Sequence, residues 1–184
     1  MIYLTSDLLF GRQKAAEDRG FDGLDSMEAA LVEQWNATVK DADTVYHLGN
    51  FSWDPISAET VLASLRGKIV FLLGPRDAHM AEVSLVRAGR HQVVAGGGMS
   101  LLRDIPVKRK KGRTDVVISH WPLADWPGRE SGVIHAHGGS VSTDLSSQPG
   151  RFCVNCSYWE LKPVDVEALL EFADEFSDGT RARI

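Results

Sequence analysis

Four short apolar runs constrain this chain more than any other feature, because each ends abruptly on polar side chains. Tyr3-Leu4-Thr5-Ser6 runs into Asp7, Val45-Tyr46-His47-Leu48-Gly49 into Asn50, Val70 through Gly74 into Pro75-Arg76-Asp77, and Val116-Val117-Ile118-Ser119 into His120. Buried strands that end this way belong to open α/β sheets, where ligands sit in the crevice outside the carboxyl ends of the strands. A glycine before the polar group lets the backbone turn sharply there. The spacing between the runs supplies the crossover helices. Met27, Ala30, Leu31, Gln34 and Trp35 predict a helix from Asp25 to about Val39, and Ser57 to Leu65 a second one closed by Gly67. The first half therefore reads β-α-β-α-β with parallel pairing and right-handed crossovers.

The second half reads differently. Ala78 to Ala88 is expected to be helical, Gln92 to Val94 a short strand, and the glycines at 96 to 98 a break. Met99 to Lys108 and Thr114 to Ser119 predict a hairpin, so the sheet becomes mixed. Gly132 to His137 and Arg151 to Tyr158 read as strands, the segment 140–150 as a loop, and Val164 to Phe176 as a last helix. The segment from Phe10 to Gly23 reads as loop. At 184 residues without a linker or repeat, one domain spanning 1–184 is expected.

Composition narrows the function classes. A formal charge of -5 gives no general attraction to nucleic acid or anionic membrane, and the basic run Lys108 to Arg113 reads as a solvated turn. No apolar run approaches the ~20 residues of a membrane span, and no signal-peptide order opens the chain, so a cytoplasmic protein is expected. Cys153 and Cys156 form a C-x-x-C. Placed in a strand, residues three apart face opposite ways, which favours free thiols over a redox or zinc role.

The strand-end groups, in order, are Ser-Asp-Leu-Leu-Phe-Gly at 6 to 11, Gly-Asn at 49 and 50, Gly-Pro-Arg-Asp at 74 to 77, Ser-His-Trp-Pro-Leu at 119 to 123 and Ile-His-Ala-His-Gly-Gly at 134 to 139. Their order and spacing, with Trp159-x-x-Lys162-Pro163-Val164, resemble the calcineurin-like metallophosphoesterases, in particular the small bacterial and phage type. The resemblance covers almost the whole chain. It implies a metallophosphoesterase-like α/β/β/α sandwich of two mixed β-sheets flanked by helices. It also implies a hydrolase site in which two divalent metals activate water toward a phosphate ester.

The ligand pattern of that family is Asp-x-His, Gly-Asp, Gly-Asn-His-Asp or Glu, a later His, and a closing Gly-His-x-His. This chain keeps Asp7 and His120 but has Leu9, Asn50, Pro75, Arg76, Gly139 and Val141 at altered positions. Asn50 lacks the charge of a bridging carboxylate, Leu9, Pro75 and Val141 offer no donor, and Arg76 brings a permanent cation. The expectation is a degenerate homologue that acts as a non-catalytic scaffold, a regulatory partner or a binder of a phosphorylated ligand. The alternative is a weak phosphoesterase with a reduced metal site. No cofactor is expected beyond at most one weakly bound Mn, Zn or Mg at Asp7, Asn50 and His120.

The candidate remnant-site or anion-binding residues are Asp7, Arg12, Asn50, Arg76, Asp77, His120, His135 and His137. Arginine supplies forked donors matched to phosphate. His135 and His137 have the x-one spacing of the closing histidines but fall about four residues early. Each candidate also has a purely structural reading: Asp7 pairing with Arg76 or Arg12, His120 hydrogen-bonded in the core, and Asn50 tying loops together. Trp53, Trp121 and Trp126 follow site loops and suit a pocket floor or an interface.

Overall fold

The structure is a computed structural model, and it describes residues 1–94, 99–106, 113–139 and 149–177. The glycine run at 96–98, most of the basic turn, Val141 and the tail beyond 177 lie outside these residues. Strands β1 (Ile2–Thr5), β2 (Thr44–His47), β3 (Lys68–Leu72) and β4 (Gln92–Val94) pair in parallel, in the spatial order β4-β3-β2-β1. A two-residue strand, β9 (Val164–Asp165), adds antiparallel to β1. The second sheet has the order β5-β6-β7-β8, from Met99–Pro106, Arg113–Ser119, Ile134–His137 and Arg151–Cys153, with its first pair antiparallel and the others parallel. The architecture is α/β, two mixed sheets flanked by helices.

Strand alternation divides the core. Tyr3, Val45, Ile69 and Phe71 face one side of the first sheet, where they pack with Met27, Leu31 and Trp35 of α2 (Leu24–Thr38) and Ala58, Val61 and Leu62 of α3 (Pro55–Leu62). Leu4, Leu48 and Leu72 face the other way, into one cluster with Val116, Ile118, Ile134 and Ala136 of the second sheet. Helix α5 (Val166–Ser177) contributes Leu169 and Leu170 to that same layer. The far side of the second sheet is covered, among the described residues, by the loop 120–133, whose Trp126 stacks near His135 at 5.4 Å.

Local chemistry explains the helix starts. Asp54 accepts from the N–H groups of Ile56 and Ser57, both at 2.9 Å, with Pro55 in the first turn. Helix α2 buries Met27, Leu31 and Trp35 at i, i+4, i+8, and the Trp35 indole donates to Arg66 O at 3.0 Å.

Four expectations are corrected. The segment taken as loop contains α1 (Gln13–Asp18), which buries Ala15 and Ala16. The helix expected over 78–88 breaks at Val83, whose ψ of 133° is extended, into a 3-10 turn Ala78–Glu82 and α4 (Ser84–Arg87). The strand expected to reach Tyr158 stops at Cys153 and gives way to a 3-10 turn Cys156–Tyr158, so the two thiols do not share a strand. Strand β9 precedes the last helix in a stretch read as all helix.

The strand ends approach one another closely at two glycines. A Cβ on Gly49, whose φ is +103°, would lie 2.4 Å from His120 Nδ1 and 2.8 Å from the Gly74 backbone. Gly20, with φ +75°, has nothing within 4 Å of its Cβ position. Gly20→Ala is therefore expected to cost about 1–2 kcal/mol for its backbone alone, while Gly49→Ala adds overpacking of about 1–3 kcal/mol. Urea unfolding of both variants checks the difference; equal costs would mean the strand ends are not in contact.

Candidate functional site

The C-terminal ends of β1, β2, β3 and β6 open onto one cavity of about 820 Å³ lined by, among others, Asp7, Leu9, Arg12, Arg19, Asn50, Pro75, Arg76, His120 and Trp121. Five candidates, Asp7, Arg12, Asn50, Arg76 and His120, thus come together. Asp77, His135 and His137 are not among its lining residues.

The floor is built on backbone pairing that outlasts the strands. The N–H groups of Asp7, Leu9 and Phe10 donate to the carbonyls of Gly49, Asn50 and Phe51 at 3.0, 3.1 and 3.0 Å. Asp7, Leu9 and Asn50 hold left-handed φ values of 57°, 58° and 60° to do so. Asn50 Nδ2 then donates to Asp7 Oδ1 at 2.8 Å, while Asp7 Oδ2 accepts from Ser6 Oγ at 2.9 Å and from the Gly139 N–H at 3.1 Å. Asp7 is buried. Among the described residues it forms no ion pair with Arg76 or Arg12, so the pairing read as its structural alternative is replaced by Asn50. Asn50 does tie loops together, as one of its readings had it.

Asp77 turns out to be a loop anchor. It is 1% exposed and accepts from the N–H groups of Asn50 at 2.5 Å, Gly74 at 2.7 Å and Phe51 at 2.8 Å. Burial raises its pKa from the usual carboxylate value, and the three N–H groups pull it back. Its oxygens are occupied with main chain.

His120 is buried, and its Nδ1 lies 2.7 Å from Leu48 O. A carbonyl only accepts, so Nδ1 carries a proton, and in a neutral ring Nε2 presents a lone pair. That Nε2 and Asn50 Oδ1 are buried without a hydrogen-bond partner. At the mouth, Arg12 and Arg76 both stack on the half-exposed Trp53, their guanidinium carbons 5.0 and 4.7 Å from its ring, and neither forms an ion pair among the described residues.

Sequence reasoning missed Arg19, just past α1. Its guanidinium donates to the carbonyls of Asp7 and Leu8, to Ser157 Oγ and toward Cys156 Sγ, pinning the loop after β1 to the chain after β8. A lone arginine in an apparent loop carried no signal of this. The two cysteines are free; burial pushes the Cys156 thiol up to about 11 and raises that of Cys153, which fits structural thiols. Among the described residues no three His, Cys, Asp or Glu side chains converge.

His47, His91, His135 and His137 are buried in the core. His135 accepts from Leu123 N–H through Nε2 at 3.1 Å, with Nδ1 3.2 Å from Val117 O. The ring nitrogen Nδ1 of His137 bonds Gly138 O at 2.8 Å. Burial lowers the pKa of His137, pushes His135 and His91 down to about 4, and pushes His47 down to about 3. Unfolded, such groups take up protons near pH 6.5; folded, His135 and His91 do not until about 4. Their stability contribution is therefore present above 6.5 and lost as pH falls toward 4, at about 1.4 kcal/mol per pH unit for each histidine. Unfolding free energies measured from pH 7 to 5 are expected to fall, and more shallowly in His91→Gln; a flat profile would contradict buried neutral imidazoles.

No family model matches this chain. The chain is similar to the Gene 66 protein of Mycobacterium phage D29, at 28% identity over 198 residues, covering 97% of this chain and 98% of that protein. It is also similar to the uncharacterized protein MJ1445 of Methanocaldococcus jannaschii, at 35% identity over 81 residues, which is 41% of this chain and 46% of that one. Among solved structures, the protein of unknown function AQ665 from Aquifex aeolicus shares the fold, with a TM-score of 0.69 at 17% identity, covering 94% of this chain and 98% of that chain. No helix among the described residues is long and apolar enough to cross a membrane.

Proposed function

We propose that this chain is a calcineurin-like metallophosphoesterase homologue of the small bacterial and phage type that has lost its catalytic metal ligands and binds a phosphorylated ligand without hydrolysing it. Support for the lineage is the order of the strand-end motifs, four of which contribute residues to one cavity. The donor set there does not fit a pair of dications: Leu9 and Pro75 line the cavity without a donor, Asn50 replaces a bridging carboxylate, and Arg76 sets a cation on the same wall. We derive no metal-dependent step. The observation that carries the reading is the pair of guanidiniums on Trp53, free of carboxylate partners among the described residues, at the mouth of a cavity of small-molecule size. Arginine's planar fork suits a phosphate's oxygens, and stacking on the indole orders it beforehand.

A second reading keeps a reduced metal site and weak phosphoesterase activity. The unpartnered Asn50 Oδ1 and His120 Nε2 beside Asp7 favour it, because one divalent ion has use for such lone pairs. A role as a scaffold for a protein partner would leave the cavity without a ligand.

Phenyl phosphate titrated by calorimetry tests these readings. Wild type is expected to bind saturably without turnover, and Arg12→Gln/Arg76→Gln to lose at least about tenfold in affinity, since hydrogen bonds to charged groups are worth roughly 1.5–3 kcal/mol each. Equal binding by both proteins would remove the arginine reading. Manganese-dependent hydrolysis that disappears in His120→Ala would make the chain an enzyme.

A further inference from the structure

The two ends of the cavity call for opposite charges. At the mouth stand two cations, Arg12 and Arg76, with Asp18 nearby but paired to Lys14, while the floor presents acceptors. An ionised carboxylate has about four acceptor positions; in Asp7, Ser6 Oγ, Asn50 Nδ2 and the Gly139 N–H take three. Asn50 Oδ1 has both lone pairs unused, and His120 Nε2, which in a neutral ring offers one lone pair, also has no partner, in a residue only 2% exposed. The two residues lie side by side in the cavity wall, packed so closely on Gly74 that a Cβ there would stand 2.9 Å from Asn50 Oδ1 and 3.0 Å from His120 Cε1.

Nothing among the described side chains neutralises this floor directly. Arg19 reaches the backbone carbonyl of Asp7 and not its carboxylate, and spends its other N–H groups on Leu8 O, Ser157 Oγ and the sulfurs of Met27 and Cys156. A phosphate oxygen at the floor would meet lone pairs and a carboxylate, which are repulsive. A hydroxyl brings one proton. An alkylammonium brings three N–H donors and a positive charge, matching one open position on Asp7, the amide oxygen of Asn50 and the imidazole nitrogen of His120.

We propose that the cavity takes a zwitterionic phosphorylated amine, its phosphate on Arg12 and Arg76 at the mouth and its ammonium on Asp7, Asn50 and His120 at the floor. This rests on the phosphate reading above and adds the second pole of the ligand. The polarity also orients the ligand, because reversing it would place like charges together at both ends.

The experiment compares O-phosphoethanolamine with ethyl phosphate, which shares the phosphate and lacks the amine, by calorimetry on wild type, Asp7→Asn and Arg12→Gln/Arg76→Gln. Wild type is expected to prefer phosphoethanolamine about tenfold. Asp7→Asn, which keeps the side-chain shape, should erase that preference, and the arginine variant should weaken binding of both compounds. Equal affinity of wild type for the two compounds would overturn the ammonium site and leave the phosphate site standing. Binding of neither would overturn both. Tighter ethyl phosphate binding in manganese, with no advantage for the amine, would assign the floor to a metal and overturn this proposal. The wild-type comparison decides the matter even if Asp7→Asn does not fold.

Discussion

The carboxylate of Asp77 is the contact on which the rest of the site depends. Its two oxygens gather the N–H groups of Gly74, Asn50 and Phe51, which belong to the loops after two neighbouring strands. Without it the buried N–H of Phe51 would lack a partner, which costs on the order of 1–3 kcal/mol. Held this way, the loop after β2 presents Asn50 to Asp7, and the backbone of Gly49 and Gly74 stays thin enough for His120 to lie against it. Burial works against an ionised Asp77 and raises its pKa, so the hydrogen bonds do not come free. They recover in loop order what the charge loses in hydration.

The meeting of residues was legible from sequence, while their directions were not. Strand ends in a parallel sheet open onto one crevice, so Asp7, Asn50, Arg76 and His120 could be assigned to a common site from four separate runs. Side-chain direction depends on loop backbone that no apolar pattern records. Arg76 follows Pro75 out to the solvent edge and stacks on Trp53, whereas Asp77, one residue later, turns inward. The short α1 escaped notice because six residues are too few to display a helical period, and its buried face consists of two alanines. At 78–88 the apolar spacing continued across Val83 although the backbone there is extended. The x-one spacing of His135 and His137 was real, but it reflects alternation along β7, with both rings on the face away from the inter-sheet core.

The cavity's electrostatics follow from its construction. Main-chain donors are consumed in the ladder between residues 7–10 and 49–51 and in the Asp77 anchor, so the floor has little left but acceptors. The mouth, by contrast, receives side chains from outside the ladder, among them Arg12 and Arg76, whose guanidiniums have no ion-pair partner among the described residues. Charge separation over the depth of the pocket is thus a result of which groups the backbone has already used.

Strain points to the same place. An asparagine or aspartate tolerates a left-handed backbone because its short polar side chain bonds locally, as Asn50 and Asp7 do to each other. Leucine gains nothing of the kind, and Leu9 at φ 58° costs about 1–2 kcal/mol. The ladder of Asp7, Leu9 and Phe10 N–H groups on the loop after β2 holds it there. Strained residues and unused lone pairs on Asn50 and His120 are each destabilising, and packing alone would favour removing them. Their coincidence around one cavity is what a ligand would compensate, since a group that binds only the folded state returns its binding free energy to the fold.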